Sequence, residues 1–135
     1  MDRIYCDTCV YIDLFEGRAD KFSCWDEFAL SLFNRVREKE YTLVVSDWLL
    51  AELKKRNHDK TFEKFIKEFE KDNLIKVETT KEDKKKAREL SSSNYPDALH
   101  VVLAKKANAV YLVTRDVHYF SEFRDVIEIS LPQSL

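Results

Sequence analysis

The stretch Tyr95-Pro-Asp-Ala-Leu-His-Val-Val-Leu-Ala-Lys-Lys-Ala-Asn-Ala-Val-Tyr-Leu-Val-Thr-Arg-Asp116, YPDALHVVLAKKANAVYLVTRD, changes its apolar period halfway along. Pro96 suits the first turn of a helix, and Leu99, Val102, Leu103 and Ala107 recur at helical spacing. From Ala109 to Val113 the chain is continuously apolar over the length of a buried strand, closing on Thr114-Arg115-Asp116. A helix that feeds straight into a strand is half of a crossover unit. It runs back along the sheet before the strand begins, so Asp97 in its first turn and Asp116 past the strand come to the same edge.

The same alternation holds outward from this unit. Ile4 to Cys6 is a short apolar run closing on Asp7, and a helix follows from Thr8 to Gly17, the only glycine and a natural C-cap. Apolar residues at helical spacing from Phe22 to Glu40 predict a second helix, and Tyr41 to Val45 a second strand, with Ser46 as N-cap of the helix carrying Leu49, Leu50 and Leu53. Phe62, Phe65, Ile66 and Phe69 mark a helix, Leu74 to Val77 a strand, Thr80 to Leu90 a charged helix, and Val126 to Ile129 a last strand. Strands alternating with helices imply parallel pairing and right-handed crossovers. The expected fold is α/β, a three-layer α/β/α sandwich with a central, mainly parallel sheet, and 135 residues suit one domain over 1–135.

No apolar run approaches a membrane span and no signal peptide with a cleavage site is present, so a soluble, cytoplasmic protein is expected, with no membrane partner. Three cysteines cannot all pair, which favours a reducing compartment. The net charge of -2 argues against a nucleic-acid partner only on average; if four acids serve as metal ligands, the rest of the chain is slightly basic.

In parallel sheets of this kind function sits at the carboxyl ends of the strands. Asp7 and Asp116 end strands there, Asp97 starts its helix there, and Glu52 lies about a turn and a half into the helix leaving the second strand. Apolar neighbours surround each of the four, so the carboxylates would repel and take up protons unless a cation neutralised them. A hard divalent ion with oxygen ligands, Mg²⁺ or Mn²⁺, does this and supports phosphodiester hydrolysis.

Asp7-Thr8, Ser46 with Glu52, Pro96-Asp97-Ala98-Leu99-His100 and Leu112-Val113-Thr114-Arg115-Asp116 resemble, in order and spacing, the signature of PIN-domain nucleases, especially VapC-type toxins. The resemblance runs from Ile4 to about Ile129. It implies a metal-dependent endoribonuclease, often a homodimer, silenced by a cognate antitoxin. It also implies catalytic and metal roles for Asp7, Glu52, Asp97 and Asp116, with Asp7, Asp97 and Asp116 as direct ligands, and a water- or phosphate-placing role for Thr114. One departure is Cys9, where the family usually has an asparagine that steadies the first aspartate.

Thr8, Thr114, Arg115 and Lys55 are the expected substrate contacts, with Lys54 and Arg56 beside them, and Tyr95 and Tyr119 flank the third and fourth acids where an unpaired base could stack. Cys6-x-x-Cys9 reads more readily as packed thiols than as a redox or zinc pair, since no second spaced pair completes a zinc set. His100 shares a helix face with Asp97, but filling space between helix and sheet is the simpler reading; His58 and His118 are expected in solvent. Helix-terminal or surface placement accounts for Asp13, Asp47 and Asp125. The competing readings are a PIN-like domain that binds RNA or protein without cutting, and a phosphoryl-transfer module of another α/β type. A phosphatase of the haloacid-dehalogenase kind would want an aspartate where Cys9 stands, and a receiver domain its phosphoacceptor where only Glu78 is found.

Overall fold

The computed structural model describes residues 1–135. Five parallel strands form one sheet in the order β3-β2-β1-β4-β5, built from β1 (Asp2–Cys6), β2 (Tyr41–Ser46), β3 (Leu74–Val77), β4 (Tyr111–Val113) and β5 (Glu128–Ser130). Between them run α1 (Thr8–Glu16), α2 (Trp25–Arg37), α3 (Asp47–Lys55), α4 (Asp59–Ile66), α5 (Lys81–Leu90) and α6 (Tyr95–Lys106). The chain steps from β1 to β2 to β3 in one direction and then returns past β1 to β4. Right-handed crossovers therefore put α1 to α4 on one face and α5 with α6 on the other. The packing agrees: α1 lies on α2 and α3, α3 on α4, and α5 on α6. The three-layer α/β/α sandwich expected from the sequence is the observed fold.

The central strand explains why the sheet is buried on both sides. Ile4, Tyr5 and Cys6 are all fully buried, although successive side chains face opposite layers. One continuous core of 31 buried apolar residues unites the two layers across the sheet. Cys6 is a packed strand residue, as expected, and the three cysteines are free.

Local chemistry sets the helix ends. Gly17 closes α1 in the left-handed conformation at φ 62°, which favours glycine, and its N–H bonds the carbonyls of the last turn. Ser46 accepts from the Leu49 N–H as the N-cap of α3, and Thr80 with Asp83 forms a reciprocal capping box on α5. Several expected boundaries shift: the strand expected from Ala109 begins at Tyr111, and the one expected over Val126 to Ile129 spans Glu128–Ser130. The second helix begins at Trp25 rather than Phe22, because Asp20 accepts from the N–H groups of Phe22 and Ser23 and folds that segment into a turn, leaving Phe22 89% exposed. Phe69 lies beyond α4 yet is buried, packed edge-on against Phe65 at 5.2 Å.

With this strand order the direction of winding reverses between β1 and β4, where crossovers leave to opposite faces and a crevice opens above the carboxyl ends. Asp7 follows β1 and Thr114 follows β4 at this point. The Asp7 N–H donates to the Val113 carbonyl and the Thr114 N–H to the Ser130 carbonyl, so the ladder holds both residues rigidly.

Candidate active site at the carboxyl edge

Asp7 caps α1, accepting the Thr8 N–H at 2.8 Å on Oδ1, while Oδ2 accepts from the Thr114 hydroxyl at 3.1 Å and the Cys9 thiol at 3.3 Å. Thr114 also accepts the Asp116 N–H at 3.0 Å, which turns the chain after β4 so that Asp116 faces Asp7. One potential ligand atom from each of Asp7, Cys9 and Asp116 lies within 4.8 Å of the others. The thiol at position 9 thus donates to Asp7, the task expected of an asparagine.

A second group meets Asp7 from α3 and α6. Asp7, Glu52 and His100 also bring ligand atoms within 4.8 Å of one another. Glu52 Oε1 lies 2.6 Å from His100 Nε2 and accepts from the Thr8 hydroxyl. His100 is fully buried, and its Nδ1 stands 2.7 Å from the Tyr5 hydroxyl, which is 2.7 Å from Ser46 Oγ. His100 therefore does more than fill space. Its spacing from Asp97 put it on the right face, but its partner Glu52 comes from another helix, which no local pattern reveals. The N-terminal ends of α3 and α6 also touch, through the Trp48 indole N–H donating to the Pro96 carbonyl at 3.1 Å.

Asp97 joins neither tight group, but its charge is felt there. Burial, with Asp7 adding repulsion, pushes its carboxyl up to about 6. Burial likewise raises Asp7, against the pull of His100 and the thiol bond from Cys9. Burial alone would raise Glu52 too; the bonds from His100 and Thr8, with Lys55 nearby, leave it below its ordinary value. His100 is the mirror case: burial disfavours its charge, and the bond from Glu52, backed by Asp7 and Asp97, leaves it above the usual histidine value.

The expected substrate contacts differ in their surroundings. Thr8 and Thr114 stand inside the cluster, bonded to Glu52 and Asp7. Lys54, Lys55 and Arg56 are exposed at the end of α3. Arg115 is already engaged: its guanidinium donates to both oxygens of Asp13 at 2.8 and 3.0 Å, lies 5.5 Å from the Trp25 ring, and keeps an edge 4.0 Å from Asp116. Asp13, expected to be explained by surface or terminal placement, is instead 2% exposed and paired to this arginine. Tyr95 packs edge-on against Trp48 at 6.4 Å, and Tyr119 is exposed. His58, expected in solvent, sits 2.7 Å from Glu16 and against Phe15.

The donor set fits a hard divalent ion. Asp7 shares one tight group with Asp116 and another with Glu52, Glu52 Oε2 accepts no hydrogen bond, and the nearby arginine and lysine are Arg115, already held by Asp13, and exposed Lys55. Zinc of the structural kind fits less well, since Cys6 belongs to neither group and Cys9 is the sole sulfur. No helix is long and apolar enough to cross a membrane.

The description PIN domain applies to the family whose model matches residues 3–118. No curated protein matches the chain. Among solved structures it is similar to that of FitAB bound to an IR36 DNA fragment, at 16% identity and a TM-score of 0.62, covering 98% of this chain and 96% of that one. It is similar to VapBC2 from Rickettsia felis bound to a promoter DNA fragment, at 17% identity and 0.61, covering 96% of each chain. A toxin-antitoxin complex from Klebsiella pneumoniae matches at 16% identity and 0.57, covering 96% and 97%.

Proposed function

The chain belongs to the PIN domain family, and from that premise we propose that it is a Mg²⁺- or Mn²⁺-dependent endoribonuclease, the toxin of a toxin-antitoxin pair. The observation that carries this reading is that Asp7, at the reversal point of the sheet, meets Asp116 in one tight group and Glu52 in another, with Asp97 close enough to be pushed up to about 6 by burial and by Asp7. Asp7, Asp97 and Asp116 would hold the ion directly, with Glu52 beside them. When bound, such an ion lowers the pKa of a water and stabilises charge on the phosphoryl oxygens.

The protein's own residues do the remaining work. Thr114 fixes Asp7 through its hydroxyl and Asp116 through its oxygen, so one side chain sets the separation of two ligands. Thr8 ties the start of α1 to Glu52. Lys55, with Lys54, offers exposed charge to RNA phosphates, and the Arg115 edge nearest Asp116 offers a further contact once Asp13 has oriented it. A cognate antitoxin covering the crevice, and a homodimer, complete the proposal; the structures similar in fold include a toxin-antitoxin complex.

The test is cleavage of single-stranded RNA with Mn²⁺ or Mg²⁺, with EDTA, and in Asp97→Asn. Metal-dependent cutting lost in the variant is expected. A folded wild-type protein that binds Mn²⁺ and cuts no RNA would favour the non-catalytic alternative and sink the enzyme claim.

A further inference from the structure

Glu52 is braced from behind by a line of buried side chains. Ser46 accepts the Leu49 N–H, stands 2.7 Å from the Tyr5 hydroxyl, and Tyr5 in turn lies 2.7 Å from His100 Nδ1, whose other nitrogen lies 2.6 Å from Glu52 Oε1. A carboxylate only accepts, so Nε2 carries a proton. In the neutral ring Nδ1 is then the acceptor, Tyr5 donates to it, and the Tyr5 oxygen accepts from Ser46. That direction satisfies each member of the line.

Burying an imidazole and a phenol costs free energy that an apolar pair of the same shape would not incur, and hydrogen bonds offset the cost. Packing alone gives no reason for this line to end on an acid. Its consequence falls on Glu52: Oε1 is fixed by His100 and by Thr8, and Oε2 is left without a protein partner. A glutamate held by one oxygen loses the freedom to swing out of the crevice.

Building on the metal-dependent reading above, we propose that His100, braced by Tyr5 and Ser46, is the positioning residue for Glu52, and that the divalent-ion affinity of the site depends on this brace. Nothing in it touches the reacting atoms. The role is to hold an acid in place, as outer partners of metal ligands do elsewhere.

The experiment measures Mn²⁺ affinity by the electron paramagnetic resonance signal of the free ion, together with kcat and KM on RNA, in the full chain. His100→Leu removes the donor, Tyr5→Phe removes one oxygen at a distance from Glu52, and His100→Gln keeps an N–H donor near the Nε2 position. Circular dichroism confirms the folded state of each variant. Expected is an Mn²⁺ affinity weakened about 10- to 100-fold in His100→Leu and toward the lower end of that range in Tyr5→Phe, with kcat reduced, KM for RNA little changed, and most of the loss recovered in His100→Gln. Affinities within about twofold of wild type in folded His100→Leu or Tyr5→Phe would overturn the proposal. If His100→Leu fails to fold, Tyr5→Phe decides it. A wild-type protein that binds Mn²⁺ but cuts nothing ends the nuclease reading and leaves the affinity series to decide the brace; one that binds no Mn²⁺ overturns both.

Discussion

Helix α1 passes through two opposite environments within its nine residues. Its first turn carries Thr8 and Cys9 beside Asp7, among carboxylates that burial forces upward in pKa. From Tyr11 onward it packs rings: Tyr11 lies 5.0 Å from Phe33 and 5.1 Å from Phe62, and Phe65 meets Phe33 edge-on at 5.1 Å. In the ring layer the packing favours folding, offset in part by the buried Tyr11 hydroxyl, which has no hydrogen-bond partner. At the acid edge burial disfavours the charged forms of Asp7 and Asp97, so the rigidity of the edge is borrowed from the layer below it. The difference shows where this protein separates stability from function, one turn apart on a single helix.

The largest expected effect breaks the layer and leaves the edge alone. Phe33 is fully buried among Tyr11, Phe65 and Phe69, and Phe33→Ala should destabilise by about 3 to 5 kcal/mol through lost burial and the cavity left behind. Urea unfolding measures this. Mn²⁺ affinity of the folded fraction should stay at the wild-type value. A parallel loss of affinity would mean that the two regions are not separable and that the rings position the acids directly.

The next effect is smaller and has the opposite sign. Burial and Asp7 raise the Asp97 carboxyl from 3.8 to about 6 in the folded chain. A group raised on folding contributes stability that is full below its unfolded pKa and is lost as pH climbs through its folded one. The metal-free protein should therefore lose stability between about pH 4 and pH 7, by about 1 to 2 kcal/mol once screening by water at this half-buried site is allowed for. Urea midpoints in EDTA across that range provide the check. Asp97→Asn should flatten the curve and be the more stable protein near neutrality, and Mn²⁺ should flatten it in the wild type. A less stable Asp97→Asn would show that this acid helps hold the fold.

The edge was more legible in the sequence than its wiring. The period change from Leu103 to Tyr111 and the apolar runs ending at Asp7 and Asp116 marked the strands, and parallel topology then brought distant acids together without any knowledge of side-chain positions. Hydrogen bonds between elements carry no such local signal. His100 shares its face with Asp97 by helical spacing, yet its partners Glu52 and Tyr5 belong to α3 and β1. Asp13 looked like an ordinary helix residue because its partner Arg115 arrives from the loop after β4. Phe22 extended the helical spacing of the second helix, but Asp20 offered the backbone a competing turn, and the turn won.

The smallest expected effect tests the thiol beside Asp7, at the position where the resemblance to PIN-domain nucleases leads one to expect an asparagine. The Cys9 thiol reaches Asp7 Oδ2 at 3.3 Å and Thr114 Oγ1 at 3.4 Å, a weak donor doing a steadying job that Thr114 shares at 3.1 Å. An asparagine amide is a stronger donor to a carboxylate. Cys9→Asn should therefore leave RNA cleavage unchanged or raise it, within roughly the factor of five that a hydrogen-bond difference of about 1 kcal/mol allows. Urea stability should stay within about 0.5 kcal/mol, since the site is partly exposed and Thr114 continues to hold Asp7. Comparing kcat of Cys9→Asn and Cys9→Ala separates donor from filler. If alanine matches wild type, the thiol steadies nothing; if asparagine sharply lowers kcat, the thiol has a task beyond Asp7.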